Sequence, residues 1–294
     1  MTPRTLVLFL ITAALWGASY LFIKVALDDG MSEGVILCAR CGLGALVLLP
    51  LALRQGAIAP ALERRGWIAV LAVTQVLLPF TLIVVGENWI DSGLAGILIA
   101  AAPIFMALIA PFVDPEESST GLAAVGVMIG MAGVVLLFVA DIGGVGTSAI
   151  LGGLAVLLAA AVYALAPLVF KLRFQGVPHV GALAVLMTTG AIVFLPWALA
   201  TLPSHTPELK TWLSLLVLGM GGTGVSFLLF YEMIEEIGPA RASVVAYVAP
   251  LFSVVYGVVL LDELFTPWTL VGMALILGGS WLAARRPNVP DPEL

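Results

Sequence analysis

The stretch TLVLFLITAALWGASYLFIKVA, residues 5–26, decides the fold. Lys24 is its only charged residue, and apolar and polar residues do not alternate along it. A helix needs about 20 apolar residues to cross the hydrocarbon core of a bilayer. The run is also longer than the ~7–15-residue core of a signal peptide. It therefore predicts a transmembrane helix that the mature chain retains.

The rest of the chain has the same character. Of its 294 residues, 62% are hydrophobic and 10% are charged, and the mean hydropathy is +1.16. Soluble domains are about 45–50% apolar and about 25% charged. Because the apolar runs are continuous, they favour helices over a β-barrel. We predict an all-α polytopic membrane protein with ten helices, at about 5–26, 32–53, 67–86, 91–113, 121–139, 149–170, 179–199, 211–231, 239–261 and 267–284.

Positive charge is unevenly divided between the connections. If the N-terminus lies inside, nine Lys and Arg residues fall on the cytoplasmic side and two, Lys24 and Lys210, on the other. Arg40 lies within predicted helix 2 and completes the total of 12. Cytoplasmic connections are enriched in Lys and Arg. The bias predicts a multi-pass protein with both termini in the cytoplasm.

The two halves of the chain repeat. An offset of about 146 residues aligns Lys24 with Lys171, Pro50 with Pro196, Trp67 with Trp212, Glu87 with Glu232, Pro103 with Pro250, Glu117 with Glu263 and Gly126 with Gly272. Since five helices is an odd number, the second half must enter the membrane from the opposite side, as in many transporters. We predict a first five-helix repeat at 1–145, a second, inverted repeat at 146–286 around a central cavity, and a cytoplasmic tail at 287–294.

Helix-breaking residues fall at matching places in predicted helices 3 and 8. Helix 3 contains Gln75 and Pro79, and helix 8 contains GMGGTGVSF at 219–227. Broken helices free backbone groups to meet a cargo at the midplane, although glycines can also serve close packing alone. Prolines at matching places kink two further helices, either as gate hinges or as static kinks. The predicted hinge residues are Pro103, Pro250, Gly221, Gly222 and Gly224.

Aromatic and polar side chains define the predicted cargo site. Trp16, Tyr20 and Lys24 share one helix face, and the repeat places Tyr163 at the position of Trp16. Apolar walls with a few hydroxyl, amide and indole groups suit a zwitterion with an apolar side chain, whereas some aromatic residues could instead lie at the membrane interface. The predicted cargo-site residues are Trp16, Tyr20, Arg40, Gln75, Pro79, Phe80, Tyr163, Thr223, Phe227, Tyr231 and Tyr247.

Charged residues near or within the spans have two interpretations each. Arg40 could attract a cargo carboxylate or could extend towards the outer surface. Glu87 and Glu232 match across the repeat, and burial would suit either for proton coupling. Their positions at helix ends instead favour carboxylates that are hydrated at the interface. Cys38 and Cys41 are predicted to be small apolar packing residues.

Three segments resemble the EamA-type drug/metabolite transporters. They are LWGASYLFIKVAL (15–27), AGILIAAAPIFMALIAPF (95–112) and ASVVAYVAPLFSVVYGVVLLDELFTPWTLVGMALILGG (242–279). The resemblance covers essentially the whole chain. One difference follows predicted helix 4. The first half has PFVDPEESSTG (111–121) where the second half has VVLLDELFTPW (258–268). Within the superfamily the chain resembles bacterial exporters of amino acids, aromatic ones among others, and related metabolites.

The resemblance implies a secondary transporter of the bacterial inner (plasma) membrane rather than an enzyme. It would export small metabolites, foremost amino acids including aromatic and apolar ones, by alternating access; cationic drugs or other metabolites are the alternative cargo. A channel would need a filter-like segment or a ring of charge, and a membrane enzyme would need clustered His, Asp, Glu or Cys residues. The predicted partners are the small-molecule cargo and the lipid bilayer, without nucleic acid, cofactor or metal; a monomeric state is left open.

Overall fold

The structure, a computed structural model, describes residues 2–113, 121–142, 146–237 and 242–283. Glu117 and the predicted tail at 287–294 lie outside these ranges. Among these described residues, eight helical segments are each long and apolar enough to cross a membrane. Two shorter apolar helices, Val245–Leu260 and Pro267–Ala283, follow them. The chain is therefore a polytopic helical membrane protein. The eight longer segments are Pro3–Asp28, Glu33–Arg54, Arg65–Gly86, Ser92–Ile109, Leu122–Ala140, Thr147–Arg173, His179–Ala200 and Leu209–Ile234.

Several of these segments are divided into shorter helices. The α-helices are α1 (Pro3–Asp28), α2 (Glu33–Arg54), α3 (Ile58–Leu62), α4 (Arg65–Leu71), α5 (Leu78–Gly86), α6 (Ser92–Ile99), α7 (Ala102–Val113), α8 (Leu122–Leu137), α9 (Thr147–Tyr163), α10 (Leu165–Arg173), α11 (His179–Ala200), α12 (Leu209–Leu216), α13 (Ser226–Ile237), α14 (Val245–Leu260) and α15 (Pro267–Ala283). Within the described residues, three π-helical segments adjoin some of these helices: π1 (Ala72–Leu77), π2 (Phe138–Ile142) and π3 (Val217–Val225).

The first two helices begin and end at residues suited to those positions. The hydroxyl of Thr2 accepts a hydrogen bond from the Thr5 N–H at 3.1 Å, and Ser32 does the same for Val35 at 3.3 Å. These bonds satisfy backbone donors that a helix start leaves unpaired. After α1 the chain turns at Gly30, whose φ of +79° is accessible to glycine at little cost. The tight turn returns the chain across the membrane.

Helices α8 and α15 pack against each other through glycines. A side chain at Gly126 would collide with the Gly279 carbonyl, and one at Gly279 would collide with backbone atoms of α8. Gly126, Gly130, Gly272 and Gly279 all lie where an added side chain would collide with a neighbouring helix. At Gly278 an added side chain would meet open space. Successive helix residues point about 100° apart, so adjacent glycines face different surroundings.

Helix α2 packs along α11 and uses both cysteines in that contact. Cys41 is buried against Gly190, and the Sγ of Cys38 lies 3.6 Å from the Ala191 carbonyl oxygen. Both thiols are free. Their role as small packing residues is therefore confirmed.

Predicted helix 4 is divided rather than continuous. The chain turns at residues 100–101, between α6 and α7, just before Pro103. Pro103 has no N–H to bond the carbonyl four residues earlier. The N–H groups of Ala100 and Ala101 instead bond the third preceding residue, each at 3.1 Å. The matched Pro250 lies inside the continuous helix α14.

Candidate substrate-binding site

The two segments predicted to be broken both contain π-helix. Segment π1 begins at Ala72 and π3 at Val217, at corresponding positions of the two halves. Pro79 follows π1 closely, and π3 holds four glycines together with Thr223. A π-helical turn changes the backbone hydrogen-bond register, and such turns occur frequently at functional sites. Helices 3 and 8 thus depart from regular α-helix at the predicted places while remaining continuous helical segments.

Arg40 joins these two interrupted helices. Its Nε–H donates to the Thr223 hydroxyl at 3.1 Å, and its guanidinium carbon lies 3.7 Å from the centre of the Phe80 ring. The Thr223 hydroxyl in turn donates to the Leu218 carbonyl at 3.0 Å. Arg40 is only 8% exposed. The prediction that this side chain extends to the outer surface is therefore wrong.

The guanidinium keeps hydrogen-bonding capacity. Among the described residues, the guanidinium of Arg40 makes one hydrogen bond, from Nε to Thr223. An Arg side chain carries four further N–H bonds on its two terminal nitrogens. Tyr20 and Tyr163 pack on the buried cluster that contains Phe80, and both hydroxyls lie within electrostatic range of Arg40. Arg40 thus presents donors inside an aromatic surround.

Trp16 forms a second wall with residues of α13. Its indole N–H donates to the Ser226 hydroxyl at 3.1 Å. Its ring lies edge-on to Phe227, with centroids 6.2 Å apart, and tilted on Phe230 at 5.0 Å. Ser226 and Phe230 were not among the predicted site residues. The sequence signal for Ser226 is its spacing of three from Thr223, which places both hydroxyls near one face of a helix.

Two predicted site residues make contacts with other parts of the bundle. Tyr231 stacks on His179 with ring centroids 4.4 Å apart. The Tyr247 hydroxyl donates to the Ser280 carbonyl of α15 at 3.2 Å. Gln75 is half-buried within π1, and Pro79 is buried. The structure thus brings Tyr20, Phe80, Tyr163 and Thr223 near Arg40. Trp16 instead packs on a separate buried cluster, and its ring meets Phe227 edge-on.

The predicted hinge glycines of π3 face neighbouring helices. A side chain at Gly222 would meet the Ser19 hydroxyl, and one at Gly224 would meet Val47. A side chain at Gly221 would have Leu15 as its nearest neighbour, at 3.3 Å. These contacts allow π3 to approach α1 and α2 closely.

One end of the bundle, here called the Lys24 end, is held together by polar contacts. Lys24 Nζ donates to the Glu87 carbonyl oxygen at 3.3 Å. The Glu263 carboxylate accepts hydrogen bonds from the N–H groups of Ser92 and Gly93, at 2.8 and 3.0 Å, and from the Ser92 hydroxyl at 2.6 Å. These contacts attach the connection between α5 and α6 to α1 and to the turn after α14.

The opposite end, here called the Arg4 end, is joined differently. Arg4 forms ion pairs with Glu232 and Glu236 of α13, the latter at 3.4 Å. Glu236 also accepts a hydrogen bond from the Thr2 hydroxyl at 3.2 Å. The Glu232 side chain is 42% exposed. Its exposure agrees with the prediction of a hydrated carboxylate.

Glu87 behaves differently from Glu232. It follows the last residue of α5 and is fully buried. Within the described ranges, neither carboxylate oxygen of Glu87 has a hydrogen-bond partner. Burial raises the pKa of this carboxyl well above its usual range. The prediction of a hydrated carboxylate is therefore wrong for Glu87.

Comparisons with known proteins agree with this architecture. The sequence pattern of the EamA-like transporter family matches residues 3–139 and again residues 150–285. The chain is 24% identical to the uncharacterized transporter YoaV of Bacillus subtilis, over 91% of this chain and 92% of YoaV. It is 27% identical to a probable terminal-alkyne amino-acid exporter of Streptantibioticus cattleyicolor, over 94% of this chain and 92% of that exporter. A solved crystal structure with 22% identity shares the fold, with a TM-score of 0.66 over 96% of this chain and 97% of that one.

Proposed function

The chain belongs to the EamA-like transporter family, and from that premise we propose that it exports amino acids, aromatic and apolar ones included, across the inner membrane. A membrane transporter is the family function; the cargo and the direction are the proposal. The name of the relative from Streptantibioticus cattleyicolor, a probable amino-acid exporter, supports this choice.

We further propose that ten helices form two inverted repeats. The two family matches, at 3–139 and 150–285, support a duplicated unit. The corresponding starts of π1 and π3 support it independently. Inverted halves can exchange conformations and so open a central site alternately to each side. Pro103, Pro250 and the glycines of π3 are the proposed flexing points.

The contact of Arg40 with Thr223 and Phe80 is the observation that carries the cargo assignment. The terminal N–H groups of a guanidinium match the two oxygens of a carboxylate. Phe80 and Thr223 hold that guanidinium from two sides. A buried cation in a membrane span is costly unless it is paired or solvated. A cargo carboxylate would supply the missing partner.

The other parts of an amino acid have matching surroundings. Backbone carbonyls in π1 and π3 are the proposed acceptors for the ammonium group. The rings of Trp16 and Phe227 offer an apolar wall for the side chain. A cationic drug would be repelled by the Arg40 charge, so this alternative is less compatible with the site.

The orientation of the two ends completes the proposal. We assign the Arg4 end to the cytoplasm, because most Lys and Arg residues lie on that side. The Lys24 end then faces outward. Because Glu87 is buried there while the matched Glu232 is exposed, we assign the structure to a state that is closed to the outside.

Counterflow in proteoliposomes tests the function. Vesicles that contain the protein are preloaded with one unlabelled amino acid and diluted into a trace of its labelled form. Transient uptake of labelled phenylalanine or leucine, absent from protein-free vesicles, is the expected result. Uptake of an organic cation such as ethidium, without uptake of any amino acid, would overturn the proposal.

A further inference from the structure

The carboxyl group of Glu87 has surroundings that an ionised carboxylate cannot tolerate. It is fully buried, and within the described part of the chain neither oxygen has a hydrogen-bond partner. An ionised carboxylate transferred from water to such a place loses its hydration without replacement, whereas the protonated form loses far less. Burial is the main cause that raises the pKa of this group.

The nearest charged groups do not neutralise Glu87. Lys24 Nζ donates to the Glu87 backbone carbonyl and lies 3.4 Å from an Asp28 carboxylate oxygen. The guanidinium of Arg40 is held by Thr223 and Phe80. The two cations oppose the rise in pKa. The negative charges of Glu263 and Asp28 add to it.

Two more carboxylates at this end, Asp91 and Asp262, line a surface cavity together with Lys24, Asp28 and Glu263. Gly86, the residue before Glu87, faces Gly152 and Val156 of α9, which carry no titratable group. On the α2 side, the Glu33 carboxylate accepts a hydrogen bond from the Asn88 amide at 3.1 Å. The Tyr20 hydroxyl is within electrostatic range of Glu87, and Tyr20 is a neutral group at ordinary pH.

The backbone around Glu87 belongs to the contacts that close the Lys24 end. Lys24 holds the Glu87 carbonyl, and Glu263 holds the N–H groups of Ser92 and Gly93. Separation of these contacts would admit water to the Glu87 carboxyl. The matched residue at the Arg4 end, Glu232, is 42% exposed and paired with Arg4. In an inverted repeat, opening of the Lys24 end would give Glu87 a similarly wet environment.

We propose that Glu87 is a proton-binding site of the outer gate, which takes up one proton from water as the Lys24 end closes and releases it on opening. This inference rests on the proposed alternating access. The proton adds to a carboxylate oxygen to give the neutral acid. Glu87 has a higher pKa in the closed state than in the open state. Protonation therefore stabilises the closed state relative to the open one, and this advantage of the closed state is complete below the open-state pKa of Glu87. That advantage is lost as the pH rises through the closed-state pKa.

Spin-label distances across the Lys24 end test the proposal. Labels at Trp89→Cys and Leu264→Cys, in a Cys38→Ala, Cys41→Ala background, replace two exposed side chains. Distance distributions are recorded in nanodiscs from pH 5 to pH 8 without cargo. The ratio of open to closed molecules should rise with pH, by up to about tenfold per unit, which is the limit for one proton. A wild-type ratio that stays constant over this range overturns the proposal.

Two variants test whether Glu87 is the group that causes the pH response. Glu87→Gln should remain closed at every pH, because the amide cannot ionise. Glu208→Gln, at an exposed carboxylate of the same end, should keep the wild-type pH response. A pH response in Glu87→Gln equal to that of the wild type overturns the proposal even if the gate itself titrates. Amino-acid counterflow measured on the same samples separates the proton-site hypothesis from the cargo hypothesis. If counterflow occurs while the ratio of open to closed molecules does not change with pH, only the proton site is rejected. If counterflow is absent while that ratio changes with pH, only the proposed cargo is rejected.

Discussion

Arg40 on α2 and Thr223 in π3 form a hydrogen bond of 3.1 Å between residues 183 positions apart in the chain. The bond fixes the guanidinium beside the Phe80 ring, between the two interrupted helices. Both partners are buried. The orientation of the cation therefore depends on a contact between the first and second halves.

Thr223→Val should weaken cargo binding. The substitution preserves shape but leaves the Arg40 Nε–H without its partner, at a cost of about 1–3 kcal/mol. Because the guanidinium is then less well oriented, the KM for amino-acid counterflow should rise about tenfold. Thr188→Val is the control, since the Thr188 hydroxyl bonds only its own helix, at the Ala184 carbonyl. Equal effects in the two variants would argue against a special role for Thr223.

Trp16→Ala should affect aromatic cargo more than small cargo. The variant removes the ring that packs on Phe227 and Phe230. The loss of an aromatic wall is worth about 1.5–3 kcal/mol to a ligand side chain that it covers. The KM should rise roughly 10–100-fold for phenylalanine and less for alanine. Trp268→Ala, at an exposed position of α15, is the control and should change neither KM. If Trp16→Ala raised the KM equally for both cargoes, Trp16 would not be an apolar wall for the cargo side chain.

Gly279→Ala and Gly278→Ala should have opposite effects on stability. At Gly279 a side chain would collide with backbone atoms of α8, which typically costs about 1–3 kcal/mol. At Gly278 it would meet open space, and alanine would favour the helix by about 0.5–1 kcal/mol. Thermal unfolding in detergent should show a lower midpoint for Gly279→Ala alone. Equal midpoints would show that α8 and α15 do not pack as described.

Asp29→Asn should destabilise the protein only where the native carboxylate is ionised. Hydrogen bonds from the Thr211 hydroxyl, at 2.6 Å, and the Glu208 N–H, at 3.0 Å, lower the pKa of Asp29. A lowered pKa contributes stability above the unfolded value of about 3.9, and this contribution disappears as the pH falls through the native pKa. Unfolding midpoints of variant and wild type should therefore differ at pH 6 and converge towards pH 3. Asp28→Asn changes a side chain that is 58% exposed in its ion pair with Lys24, and should show little difference at either pH.

The parts of the fold set by nearby residues were predictable from the sequence. Apolar run lengths located the membrane helices, and Pro79 with the glycines of π3 located the interruptions. These features depend on backbone hydrogen bonds within a few residues. The kink before Pro103 has the same origin, although its division of the helix into α6 and α7 was not predicted.

Features that depend on contacts between distant helices were not predictable in the same way. Thr223 and Arg40 were each candidates, but their bond depends on how α2 crosses π3. Tyr247 was among the predicted cargo-site residues, yet the crossing of α14 and α15 directs its hydroxyl to the Ser280 carbonyl. The burial of Glu87 likewise depends on how other helices pack at the Lys24 end rather than on neighbouring residues.

The dependence of binding on both Arg40 and a cargo carboxylate tests the central claim most directly. Affinities of L-phenylalanine and of phenethylamine, which lacks the carboxylate, are measured by calorimetry for the wild type, Arg40→Gln and the exposed control Arg54→Gln. A charge-assisted hydrogen bond is worth about 1.5–3 kcal/mol, so the wild type and Arg54→Gln should prefer phenylalanine by at least about tenfold. Arg40→Gln should lose that preference. If folded Arg40→Gln instead binds phenylalanine as tightly as the wild type, Arg40 does not recognise the cargo carboxylate and the account is contradicted.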